Sequence, residues 1–303
     1  SAPVRRTGFG LLPAVVAAAA LLLSACGGSS GGDNPTVGQP SSSTGSSLKN
    51  LLPQSVRDAG VLKVGSDVAY APIEFFDKDG KTIIGVDPDI GKAVEAQLGV
   101  KLTFQNGTFD GLITELRSKR IDLIMSSMSD TPERQKSIDF VDYFTAGTSI
   151  LVKKGNPEGI KTLDDFCGKT IALQRGTTQE DVAKTQQAKC SAAGKPLKVL
   201  PFDRDTEALL QVKQGRAVAD MNDFPVAAYN AKTSGDGKDF EVVGEQIEAG
   251  PYGIGVRKED TAIRDALQKA LQAIIDNGDY AKILEKWNVK AGAVTSATVN
   301  GGK

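Results

Sequence analysis

Ile121-Asp122-Leu123-Ile124-Met125-Ser126-Ser127-Met128-Ser129-Asp130-Thr131-Pro132-Glu133-Arg134 runs from an apolar stretch through a serine-rich turn into a helix start. Four of its first five residues are apolar and polar turn residues follow, the pattern of a strand buried on both faces of a parallel sheet. Thr131 can cap a helix, and Pro132 falls in the first turn, where no N–H is needed. Open α/β sheets bind ligands just past the carboxyl ends of their parallel strands, which makes Ser127, Ser129 and Arg134 candidate binding residues.

The same grammar extends to both sides. Upstream, Val61 to Gly65 and Thr82 to Val86 read as strands, followed by a helix that Asp87 caps, Pro88 enters and Gly99 ends. Lys101 to Phe104 reads as a strand and Gly111 to Leu116 as an amphipathic helix. Downstream, after Phe140 to Phe144, strands at 149–152, 170–173, 198–200 and 218–221 alternate with helices at 162–166, 178–189 and 206–213. A helix at 225–231, strands at 241–243 and 253–256, and helices at 262–275 and 280–287 complete the pattern. Strand and helix alternation predicts parallel sheets covered on both faces, in two α/β lobes. The last helices follow a strand like those of the first lobe, so the chain is expected to cross twice, with hinges at 144–148 and 248–252.

The N-terminus reads as a targeting signal rather than fold. Arg5 and Arg6 precede the apolar run Leu11 to Leu23, too short to span a bilayer comfortably. The run ends in Leu23-Ser24-Ala25-Cys26, which resembles the lipobox of bacterial lipoproteins. This implies a signal peptide at 1–25 and a lipidated Cys26. Residues 26–48 are rich in Gly and Ser, with too little apolar surface to offset ordering, and are expected to form a flexible tether. Loss of 1–25 removes two Arg and no acid from 36 basic and 37 acidic residues, leaving 34 against 37 and a net charge of −3, which argues against a nucleic-acid partner. With Cys26 given to lipid, Cys167 and Cys190 remain as a pair in an exported chain, and a disulfide is expected between them. The chain has no His, which removes Ser-His-Asp triads, Cys-His pairs and His-ligated zinc; no cofactor or metal is expected.

Asp67-Val68-Ala69-Tyr70-Ala71-Pro72, Gly85-Val86-Asp87-Pro88-Asp89 and Ser126 to Arg134 resemble the family 3 solute-binding proteins, the glutamine, histidine and lysine/arginine/ornithine binders of bacterial importers. The likeness continues through Gly176-Thr177-Thr178-Gln179-Glu180, Ala219-Asp220-Met221-Asn222-Asp223 and Tyr252-Gly253-Ile254-Gly255-Val256, and so covers roughly 61–287. It implies a two-lobe periplasmic-binding-protein fold of type II, a Venus flytrap with two hinge crossings. The expected division is 49–145 plus 251–303 for the first lobe and 146–250 for the second.

The resemblance also assigns roles. Arg134, whose planar fork suits a carboxylate, would grip the ligand's α-carboxylate with help from Ser127, Ser129 and Thr178. Thr178 opens a helix, whose free N–H groups favour an anion, although Thr177 or Thr178 could simply cap it. Asp223 would accept the ammonium group, or else cap the helix ahead of Pro225. Tyr70 and Phe109 would sandwich the ligand side chain, and Asp67 would stand near its distal end. Gln174 and Asn222 depart from the glutamine binder, which has lysine and histidine there. The expectation is therefore a monomeric, non-enzymatic binding component of an ABC transporter. It would be lipid-anchored on the outer face of the cell membrane and deliver a polar amino acid to a permease. Two other readings share the cleft: a sensory module, and a dehydratase-type enzyme for which Glu74 is the one nominated acid.

Overall fold

The structure, a computed structural model, describes residues 48–303. The signal at 1–25, Cys26 and nearly all of the tether at 26–48 lie outside the described residues. After α1 (Gln54–Ala59), strand β1 (Val61–Ser66) leads to the short antiparallel pair β2 (Phe75–Phe76) and β3 (Ile83–Ile84). Helix α2 (Val86–Leu98) begins one residue before the expected cap. Gly85 is its N-cap at φ +136°, where a Cβ would collide with the Ile73 carbonyl. Asp87 is thus freed from capping and turns inward, fully buried. Gly99 ends the helix in the left-handed conformation, as expected.

Strands β4 (Lys101–Asn106), β1 and β5 (Leu123–Ile124) pair in parallel. Between β4 and β5 the chain makes a short 3₁₀ turn at Phe109–Gly111 before α3 (Leu112–Arg117). The quoted stretch then supplies α4 (Pro132–Gln135), whose N–H at Arg134 is capped by Thr131 Oγ1 at 3.3 Å.

The expected restart after Phe144 is instead a continuation. Strand β6 (Ile138–Lys153) runs through both predicted segments, because Ala146 and Gly147 interrupt the apolar pattern without breaking the ladder. Beyond it come β7 (Thr170–Gln174), α5 (Thr178–Ala192), β8 (Lys198–Phe202), α6 (Asp205–Lys213), β9 (Ala219–Asp223) and α7 (Phe224–Thr233). Strands β8, β7 and β9 are parallel. Strand β10 (Phe240–Arg257) likewise joins two predicted strands and pairs antiparallel with β6. The sheet order β4-β1-β5-β10-β6-β9-β7-β8 is therefore mixed, two parallel triplets joined through a central antiparallel pair. The mixed order has a simple cause: a strand that serves both lobes cannot be parallel to its neighbours in each.

This is the two-lobe fold with two crossings. The β6–β10 register shifts between Val243 and Ile247 and between Ile247 and Gly250, so both expected hinge segments lie in the irregular part of the ladder. Glu248 there has φ +48°. Apolar cores form on either side: Val64, Ile90, Val94, Tyr143 and Tyr252 belong to one, and Ile150, Phe166, Leu173 and Met221 to another. Helix α8 (Thr261–Asp276) buries Ile263, Ala266, Leu267, Ala270, Leu271 and Ile274 as one stripe and packs on α2. It is followed by α9 (Asp279–Lys286). The expected disulfide joins Cys167, after a 3₁₀ turn at Leu163–Phe166, to Cys190 in α5.

The tail beyond Asn288 is held against β6. Strand β11 (Thr298–Val299) pairs with β6, and the Gly301 and Gly302 N–H groups donate to Asp142 and Asp130 at 3.0 and 2.9 Å. Lys303 consequently lies in a groove with Thr148, Thr178 and Glu248, beside the hinge. No helix among the described residues is long and apolar enough to cross a membrane.

Candidate functional site

The parallel strands deliver their carboxyl ends to one cavity. Asp67 follows β1, Ser126 to Ser129 follow β5, Gln174 ends β7 and Asp223 ends β9. All eight residues singled out from the sequence line it: Asp67, Tyr70, Phe109, Ser127, Ser129, Arg134, Thr178 and Asp223.

Arg134 is placed by its short helix. Its Nη1 donates to the Ser129 carbonyl at 2.8 Å, its Nη2 to the Gly176 carbonyl across the cleft at 3.0 Å, and its guanidinium lies 5.5 Å from the Phe109 ring centre. Burial lowers its pKa from the ordinary arginine value, so it stands to gain from an anion. Ser127, at φ +51°, turns its hydroxyl onto Glu74 at 3.1 and 3.0 Å, and its N–H lies 3.2 Å from Asp87. Its side chain is thus committed within the protein, unlike the open donor expected.

On the other side, Thr177 is the helix cap, its Oγ1 accepting the Glu180 N–H at 3.2 Å. Thr178 is left free of that duty. Asp223 stands at the N-cap of α7 but makes no side-chain cap; its carboxylate accepts from the Tyr70 hydroxyl at 3.0 Å and from Gln179 Nε2 at 2.9 Å. Tyr70 in turn accepts the Asp223 N–H at 2.9 Å, which stitches the two sides together. Burial pushes the Asp223 carboxyl up to about 6, against hydrogen bonds and the Arg134 charge that pull it down.

Asp67 is 2% exposed, and one of its oxygens accepts from Gln174 Nε2 while the other meets Arg204 Nη1. Burial raises it to about 6, with Arg204 as the main opposing charge. Beneath the cavity, burial and the neighbouring Asp87 raise Glu74 well above the usual carboxylate range; burial brings Asp87 itself to about 7. Sequence reasoning assigned no binding role to Gln179, Ser126 or Arg204. Gln179 was within reach as the first-turn neighbour of Thr178. Arg204 left a subtler sign, a basic residue just ahead of a helix where a capping residue is preferred.

A cleft between two lobes, with a half-buried guanidinium on one side and a buried carboxylate on the other, is the arrangement of a solute-binding protein. Residues 62–290 match the family model for bacterial extracellular solute-binding proteins, family 3, and the chain belongs to that family. It is 31% identical over 255 residues to the arginine-binding protein ArgT of Corynebacterium glutamicum, covering 84% of this chain and 82% of that one. Among solved structures, an ancestral arginine-binding protein bound to arginine matches with a TM-score of 0.70 and 38% identity, over 75% of this chain and 98% of the other. An ancestral arginine-binding protein bound to glutamine matches at 0.69 and 40%, over 76% and 98%.

Proposed function

We propose that this chain captures an amino acid with a polar side chain between its lobes and hands it to the permease of an ABC importer. The observation that carries the reading is the opposed pair: a half-buried Arg134 on one side of the cavity and a buried Asp223 on the other, matching a ligand's α-carboxylate and α-ammonium. In this reading 49–145 with 251–303 form one lobe and 146–250 the other. Cys26 carries the lipid, and 26–48 let a single copy reach the permease from the outer face of the membrane. The arginine bound by relatives makes long side chains with nitrogen donors the first to try.

Binding and closure are one event here. The ligand's carboxylate takes over the Arg134 donors now given to Ser129 and Gly176, and its ammonium takes a place on Asp223 beside Gln179. Neither side alone satisfies both charges, so the ligand favours closure by contacts that only the closed state offers. A shift from 1:99 to 99:1 requires a preference of roughly 5.5 kcal/mol, within reach of a few charge-assisted hydrogen bonds at about 1.5–3 kcal/mol each. Glu74, nominated for an enzyme, instead accepts the Ser127 hydroxyl and holds it in its turn; recovery of the ligand chemically unchanged after incubation would exclude catalysis.

The test is calorimetry with polar amino acids on the mature chain and on Arg134→Ala. Removing two charge-assisted bonds is expected to weaken binding about 100-fold or more, with the circular dichroism spectrum unchanged. Unaltered affinity in the variant would remove the clamp from the reading.

A further inference from the structure

Arg204 occupies the N-cap of α6, where Ser, Thr, Asn or Asp would accept one of the helix's free N–H groups. A guanidinium has no acceptor and cannot cap. Its side chain crosses the cleft instead, Nη1 meeting the Asp67 carboxylate and lying 3.3 Å from Asn106 Oδ1. The Gln174 amide takes the second Asp67 oxygen, so both oxygens of this buried carboxylate are held by donors from the far side. The Asp67 side chain is 3% exposed and that of Arg204 is 28%, so the pair is only partly screened by water.

We infer that Arg204 is a specificity-determining residue: it occupies Asp67 as a cationic ligand side chain would, and so handicaps such ligands relative to uncharged isosteres of the same length. The inference rests on the amino-acid reading above. Arg134 and Asp223 balance the two charges of the ligand's backbone, which leaves Asp67 and Arg204 to balance each other. An ammonium or guanidinium side chain must displace a tethered guanidinium and then sit beside it, whereas a carboxamide or ureido group shares Asp67 without adding charge. Tethering strengthens the competition, because Arg204 is always present near Asp67 at a high effective concentration. Asp203 and Glu207 also act on Asp67, but both are exposed and water screens them.

L-arginine and L-citrulline differ chiefly in this charge. Their affinities are to be measured by calorimetry on the wild-type chain, Arg204→Ser and Arg204→Lys. Serine supplies a cap for α6, which offsets part of the loss of Asp67's cationic partner, and thermal unfolding checks that the variant is folded. The arginine-to-citrulline affinity ratio is expected to rise about tenfold or more in Arg204→Ser, by loss of a like charge near the ligand, and to stay closer to wild type in Arg204→Lys. General damage to the cleft weakens both ligands together and leaves the ratio where it was. A ratio in Arg204→Ser that is unchanged or lower overturns the role of Arg204 alone. Failure of the wild-type chain to bind either ligand or any other amino acid overturns the amino-acid reading and this inference with it.

Discussion

Asp223 is caught between two demands. Burial lifts its carboxyl to about 6, while the ammonium group proposed to bind it calls for the ionised form. Below that value the free protein carries a proton that binding must expel, so affinity should fall by up to about tenfold per pH unit on going from pH 6 toward 5, and level off above 7. Titration by calorimetry at pH 5, 6 and 7.5 checks this, and a flat profile would show that Asp223 is not the ammonium acceptor. The residue itself was legible because it follows an apolar strand in the position of a known family motif. Its partner Tyr70 was legible as an aromatic, but the exchange of two hydrogen bonds between them was not, since 153 residues separate them in the chain. The same holds for Arg204 and Asp67, 137 residues apart. Local pattern identifies which groups are chemically able; only the fold decides which of them meet.

Among the elements, those whose boundaries are set by capping or by one buried stripe were read well. Thr131 and Pro132 mark α4, Gly99 ends α2, and the apolar spacing of α8 carries it to Asp276. Elements defined by a partner were not. The centre of β6 around Ala146-Gly147 and the glycine-bearing centre of β10 have no strand pattern of their own and stay extended because each is the other's neighbour. Strand β11 has two residues and forms only because β6 offers a free ladder edge to it. Deleting 298–303 should therefore destabilise the protein. It removes the pairing with β6 and the backbone donors that serve Asp130 and Asp142, each hydrogen bond worth about 1 kcal/mol. A loss of roughly 2–4 kcal/mol in urea unfolding is expected, and a variant as stable as the full chain would mean that the tail merely rests on the lobe.

For the molecule as a whole, an unusual set of buried acids dominates the response to pH. Asp67 and Asp223 are held near 6, and Asp87, Asp142 and Asp205 near 7, in each case chiefly by burial. Acids raised in this way hold protons in the folded state that the unfolded chain has already released. Between about pH 4 and 7 the folded state thus binds more protons, and its stability falls as pH rises. Urea midpoints of the ligand-free chain should be higher at pH 5 than at pH 7.5; the reverse order would show that these carboxylates are ionised in the fold. Affinity and stability are thus expected to respond to acid in opposite directions.

The course of the last residues has a practical corollary. Since β11 carries the chain back along β6, position 303 lies beside Thr178 and Glu248, at the edge of the moving cleft rather than at a remote pole. A polarity-sensitive dye on Lys303→Cys would change its emission as the two halves swing, turning the protein into its own optical reporter of the nutrient it collects.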